Sequence, residues 1–187
     1  MNGRIAMLEG RSGVWFTYND GTPTGMQFPS PSWSCFPVAL DMNPLSGGHY
    51  VASMQGGGFT TWGAGMGLVF TAGGCPYDAS VYQGVRFLAR ADQPLVMSTL
   101  FPTADTNPPS SGGTCQELTG HTCFDSYQMQ IGLSTGWQKF NLDFKSLAQE
   151  GWGQPVVFNR GKLIGINFQI SSGVGAFTIK VDDIAFY

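Results

Sequence analysis

Apolar and polar residues alternate with a period of two along much of this chain, in short stretches separated by turn-forming clusters. In Tyr127-Gln128-Met129-Gln130-Ile131 every second residue is apolar. A strand with that spacing sends Tyr127, Met129 and Ile131 to one face and Gln128 and Gln130 to the other. The stretch Ile164-Gly165-Ile166-Asn167-Phe168-Gln169-Ile170 divides in the same way, with its isoleucines and Phe168 inward and Asn167 and Gln169 away. Val85, Phe87 and Ala89 face a core, while Arg86, Leu88 and Arg90 face out. Further strands are expected at 14–18, 52–54, 68–70, 95–103, 137–144 and 177–187. The Pro-, Ser- and Gly-rich region 22–48 predicts a long loop or an irregular strand pair. Gly56 to Gly67 predicts a glycine-rich connection, and 104–122 another loop. Only 145–150 could form a helical turn. Short alternating strands between turn signals predict an all-β, antiparallel β-sandwich. With no repeat and no clear linker, 1–187 is expected to form a single domain.

Composition agrees with strands and loops. The chain holds 27 Gly and 11 Pro, and these are the poorest helix formers. Charged residues are only 11%, where an average domain has about 25%. The formal charge is −3 with nine Lys plus Arg, so no basic stripe is available to neutralise a nucleic-acid backbone. No apolar run reaches the length of a membrane span. Met1-Asn2-Gly3-Arg4 lacks the apolar segment of a signal peptide, which suggests an excised domain or a mature protein with an added start Met.

The outward-facing polar set adds a chemical hint. Arg86, Arg90, Gln128, Gln130, Asn167 and Gln169 carry planar groups that make several hydrogen bonds with defined geometry. Such groups suit a ligand dense in hydroxyls, although a solvated sheet face would look similar. Four cysteines are present, and Cys115 and Cys123 bracket seven residues of a Gly/Ser-rich loop. That spacing predicts a loop-closing disulfide and an oxidising compartment. A metal site is the alternative, but there is no Cys-x-x-Cys and only two His. Cys35 and Cys75 could also pair.

Six stretches carry a family resemblance. They are Gly10-Arg11-Ser12-Gly13-Val14-Trp15-Phe16-Thr17-Tyr18-Asn19-Asp20, Phe59-Thr60-Thr61-Trp62-Gly63-Ala64-Gly65-Met66-Gly67 and Tyr77-Asp78-Ala79-Ser80-Val81-Tyr82-Gln83-Gly84-Val85-Arg86-Phe87. Trp137-Gln138-Lys139-Phe140, Gln149-Glu150-Gly151-Trp152-Gly153 and Val181-Asp182-Asp183-Ile184-Ala185-Phe186-Tyr187 complete them. Together they resemble the galactose-binding-like β-jelly rolls of bacterial secreted and cell-surface proteins, in particular family 11-like carbohydrate-binding modules. The resemblance covers essentially the whole chain. It implies two packed antiparallel sheets with glycans lying on a concave face or its rim. It also implies a structural calcium ion far from the sugar, with Asp182 and Asp183 at the matching positions. Glu9 and, more weakly, Asn2 could complete such an oxygen cage. The acidic N-terminal residues usual in that family would fall at or before Met1, so the cage is expected to be truncated.

Aromatic planes stack on the C–H faces of sugar rings. Trp33, in the aperiodic Ser30-Pro31-Ser32-Trp33-Ser34, has the best claim to exposure, followed by Tyr50 beside His49. Trp62 and Trp152, among glycines, are expected to pack against backbone. Trp137 is expected at the sandwich edge, and Trp15 could face either way. No catalytic constellation is present. Acidic pairs such as Asp105 with Asp125, or Asp143 with Glu150, lie in no recognisable motif, and there is no Gly-x-Ser-x-Gly. The expectation is a non-catalytic module, part of a larger secreted or surface protein, that binds a plant-type polysaccharide, a β-glucan such as cellulose or xyloglucan. The rivals are an adhesive or structural surface domain without a sugar ligand and a hydrolase with an unusual site.

Overall fold

The computed structural model describes residues 7–31, 39–42, 50–120 and 122–187, with the backbone alone for 39–42 and 50. Among them eleven strands follow in chain order: β1 (Trp15–Asn19), β2 (Met26–Phe28), β3 (Ala39–Met42), β4 (Tyr50–Gly57), β5 (Ala64–Val69), β6 (Gly84–Ala91), β7 (Leu95–Phe101), β8 (Tyr127–Leu133), β9 (Gln138–Asp143), β10 (Gly165–Ile170) and β11 (Phe177–Phe186). Helix among the described residues is confined to four three-residue 3-10 turns. No helix of the described residues is long and apolar enough to cross a membrane.

The strands make two sheets in which every pairing is antiparallel. One is five-stranded, in the order β1-β5-β10-β7-β8. The other is six-stranded along β2-β4-β11-β6-β9, with β3 also pairing β4. Period-two alternation gives each sheet one apolar face, and the two apolar faces pack together. Met66, Met97, Phe101, Ile166 and Phe168 enter from the first sheet, and Met54, Phe87, Ile179 and Val181 from the second. Phe87 meets Phe168 edge-on between the layers at 5.2 Å. Trp15 stacks on Phe168 from the core side of β1, at 6.2 Å. Truncating a ring such as Phe168 to alanine would cost about 3–5 kcal/mol.

The architecture is the expected sandwich, with local differences. The region 22–48 contributes the short β2 and β3 to one edge of β4. The glycine-rich connection is shorter than expected, because Ala64-Gly65-Met66-Gly67 is part of β5. Its alternation sends Ala64 and Met66 into the core and leaves glycine on the opposite face. β7 stops at Phe101 because Pro102 has no N–H to donate to a ladder. The helical turn covers Phe144–Ser146 only. Cys115 and Cys123 form a disulfide with their Cα atoms 5.9 Å apart. Cys75 is a free, exposed thiol, and Cys35 lies outside the described residues.

Candidate functional site

The face of the five-stranded sheet turned away from the core is a groove of about 1080 Å³. Strand register builds its floor from two rows that cross all five strands. The first row is Phe16, Gly67, Asn167, Leu100 and Gln128. The second is Tyr18, Gly65, Gln169, Ser98 and Gln130. Glycine at both β5 positions leaves this strand of the floor without side chains of its own. A Cβ at Gly65 would lie 2.3 Å from the Tyr18 ring, and one at Gly67 would lie 2.2 Å from Asn167 Oδ1. The neighbouring side chains therefore lie down over the glycines. The Tyr18 hydroxyl reaches Gln169 Oε1 and donates to it at 3.3 Å. Burial pushes the Tyr18 phenol above its ordinary range, so it remains a neutral hydroxyl. The amide oxygens of Asn167 and Asn107 along the groove are buried and accept no hydrogen bond from the described residues. Buried acceptors in that state can take a hydrogen bond from water or from a ligand.

Loops raise the walls. Residues 72–74 and 110–112 both line the groove, and their backbones touch, since a Cβ at Gly112 would lie 2.2 Å from the Gly74 carbonyl oxygen. The disulfide loop brings Cys123 and Phe124 to the β8 side. Phe124 is 47% exposed and has φ of 75°, a conformation that costs a bulky residue about 1–3 kcal/mol.

Two tryptophans stand at opposite edges of the floor. Trp62, 42% exposed, lies 5.8 Å from the Tyr18 ring beside β1. Trp152, 51% exposed, stands beside β8 and donates its indole N–H to Glu150 at 3.0 Å. A carboxylate holds each loop. Asp20 Oδ2 accepts the backbone N–H groups of Thr61, Trp62 and Gly63 at 2.9–3.0 Å, and its Oδ1 accepts that of Thr22 at 2.9 Å. Partial burial pushes the Asp20 carboxyl up. The hydrogen bonds from Thr22, Gly63 and Thr61 outweigh that effect and hold it well below the usual carboxylate range. Asp125 is 2% exposed and accepts the N–H groups of Glu150, Gly151 and Gly153 at 2.9–3.1 Å. Four strand spacings of about 4.8 Å put roughly 19 Å between the two edges of the sheet.

The structure divides the residues singled out by sequence. Gln128, Asn167 and Gln169 line the groove together, and Gln130 continues the second row at the exposed end. Arg86 and Arg90 do not join them. They lie on β6 in the other sheet, where the Arg90 guanidinium sits 5.8 Å from the centre of the Trp137 ring. Period two assigned a face within each strand correctly but could not say which strands share a sheet. Ile164, expected in the core, is buried on the groove side. Trp33, His49 and His121, and the side chain of Tyr50, lie outside the described residues. Trp62 and Trp152, expected against backbone, are instead exposed.

Among the described residues, those expected to hold calcium do not gather in one cluster. Glu9 pairs with Arg11 at 2.8 Å and accepts the Tyr82 hydroxyl at 2.9 Å. Asp182 and Asp183 stand at a β-bulge, where Asp182 Oδ1 accepts the Asp183 N–H at 2.9 Å. Asn2 is outside the described residues. No three His, Cys, Asp or Glu side chains of the described residues gather to hold a metal ion.

Chemically the groove offers amides, hydroxyls and rings. Among the described residues, the charged side chains lining it are Asp125 and Glu150, both already hydrogen-bonded, and no cation lines it. Of the other acids considered for hydrolysis, Asp105 pairs with Lys162 at 3.0 Å and Asp143 lies on β9 of the second sheet.

No protein-family model matches this chain, and no curated protein does. Solved structures do share its fold. A family 11 carbohydrate-binding module from Clostridium thermocellum, in complex with a β-1,3-1,4-mixed-linked tetrasaccharide, aligns with a TM-score of 0.61 at 13% identity. The alignment covers 98% of this chain and 94% of that one. The family 30 carbohydrate-binding module of a cellulosomal cellulase of the same organism aligns with a TM-score of 0.56 at 14% identity, over 100% and 97% of the two chains. A family 4 module aligns at 0.51 and 16% identity, over 92% and 93%. The chain therefore has the β-jelly-roll fold of these modules.

Proposed function

We propose that the groove binds a neutral polysaccharide without turning it over, and that the chain serves as a targeting module within a larger secreted protein. The observation that carries this reading is the pair of cross-strand rows, in which Tyr18 and Asn167 lie over two glycines and Gln169 and Gln128 continue the floor, between two exposed tryptophans. Amides and a phenol supply hydrogen bonds of both senses to sugar hydroxyls, and indoles supply stacking planes. Among the described residues no Lys or Arg lines the groove, which favours a neutral chain over an acidic one. A β-linked glycan such as a β-glucan is the ligand class of choice, because one module of the same fold carries a β-1,3-1,4-mixed-linked tetrasaccharide.

The rows set an orientation. A chain crossing the strands from Trp62 to Trp152 would meet both tryptophans and the amides between them. Catalysis is disfavoured by the state of the carboxylates, since Asp125 is saturated by three N–H groups and Glu150 is tied to Trp152. The disulfide fits a secreted protein.

Affinity electrophoresis against mixed-linked β-glucan, xyloglucan, xylan and mannan tests the reading. The wild type should be retarded by a β-glucan and release no reducing ends, and Trp62→Ala and Trp152→Ala should each lose most of the retardation. Unchanged migration of the wild type in every glycan, with the fold intact, would remove the sugar-binding reading and leave an adhesive or structural domain.

A further inference from the structure

We propose that Asp20 and Asp125 are positioning residues for glycan binding, each fixing one exposed tryptophan, Trp62 or Trp152, at its edge of the groove. The inference rests on the reading of the groove as a glycan site. Among the described residues, the two tryptophans classed as exposed are the two whose loops close around a carboxylate. The loops are unrelated in sequence position and lie on opposite sides of the sheet, yet both use the same device. Three successive or near-successive backbone N–H groups converge on one side chain, as they do around a bound anion.

Neither carboxylate forms an ion pair with a cation of the described residues; the pairs present there are Arg11–Glu9, Lys145–Asp143 and Lys162–Asp105. Backbone N–H groups, joined at Asp20 by the Thr22 side chain, are the donors that balance their charge. A carboxylate as buried as Asp125 is expensive to keep without such donors. Glycines let the loops close this tightly. Gly63 has φ of 110°, and a Cβ on Gly153 would lie 2.4 Å from the Asp125 Cβ. A loop tryptophan that is free to swing loses that freedom when it stacks on a sugar, whereas one already fixed loses little. The carboxylates thus place both planes before the ligand arrives.

Two double-mutant cycles test this, Asp20→Asn with Trp62→Ala and Asp125→Asn with Trp152→Ala. Asparagine keeps the shape, but in either amide orientation its NH₂ group faces backbone N–H donors. Affinity for soluble mixed-linked β-glucan is measured by titration calorimetry, with thermal melting and tryptophan emission followed in parallel. Asp20→Asn should weaken binding by about tenfold, the scale of one lost aromatic contact. It should weaken binding no further in the Trp62→Ala background, and it should red-shift the emission of the ligand-free protein only when Trp62 is present. Multiplying losses, or wild-type affinity in Asp20→Asn, would overturn the proposal while leaving the glycan reading intact. A wild type that binds no glucan would overturn both. If Asp125→Asn does not fold, the Asp20 cycle decides alone, because Asp20 is only half-buried at the sandwich edge.

Discussion

Replacing Gly65 by alanine would put a methyl group in the middle of the groove floor. The new Cβ would stand 2.3–2.7 Å from three atoms of the Tyr18 ring and hydroxyl, so the ring would have to move. The backbone itself accepts alanine, since Gly65 has no positive φ. Moving Tyr18 breaks its hydrogen bond to Gln169 and its packing against Trp62. Overpacking of this kind costs about 1–3 kcal/mol, and the lower backbone entropy of alanine in the unfolded chain returns about 0.4–1 kcal/mol. The net is a destabilisation of about 1–2 kcal/mol, which lowers Tm by roughly 2–8 °C for a chain of this size. Binding should suffer more than stability, because Tyr18, Gln169 and Trp62 all lie along one end of the groove. Differential scanning calorimetry and titration with a mixed-linked β-glucan oligosaccharide give both numbers. Met66→Leu, a swap of similar volume on the core side of the same strand, serves as a control that should keep its affinity. If Gly65→Ala binds as tightly as the wild type, the ligand does not lie over β5 and the cross-strand rows are not the site.

Arg86→Gln and Arg90→Gln should leave glucan affinity unchanged, because β6 belongs to the other sheet; a loss of more than a few-fold in titration would place the ligand on that face instead. Reducing or deleting the Cys115–Cys123 bridge, whose cysteines are eight positions apart, should cost about 2–3 kcal/mol by loop entropy and lower Tm by roughly 5–10 °C. It should also weaken binding, since Phe124 and Asp125 follow Cys123 directly. The Asp20 carboxyl is held below its ordinary range, so its contribution is full above the unfolded value near pH 4 and is lost only as pH falls through the lower native value. Glucan binding measured from pH 7 to about pH 4 should therefore show no decline traceable to Trp62, and a fall in the wild type that is absent from Trp62→Ala would count against the Asp20 clasp.

What the sequence made legible follows from the range of the forces involved. Period two is a property of a single strand, and it separated Gln128, Asn167 and Gln169 from the core residues between them. Which strands become neighbours depends on packing across the sandwich, so the arginines of β6 carried the same alternation without belonging to the groove. The two tryptophans were missed for a sharper reason. Each sits among glycines, where local pattern shows only a turn, and its exposure is decided by an aspartate far away in the chain. Asp20 acts on Trp62 from 42 positions away, and Asp125 acts on Gly151 and Gly153 from 26 and 28. A signal was nonetheless present in β5. In Ala64-Gly65-Met66-Gly67-Leu68 the alternation pairs core residues with glycine where a surface strand would carry polar side chains. A sheet face facing only water gains nothing from bare backbone, because glycine in a strand interior weakens it and gives its neighbours nothing to pack on. Two glycines opposite Tyr18 and Phe16 make sense because the Tyr18 ring, the Phe16 ring and the Asn167 amide occupy the space above them, so the floor is built of flat rings and amides lying along the sheet.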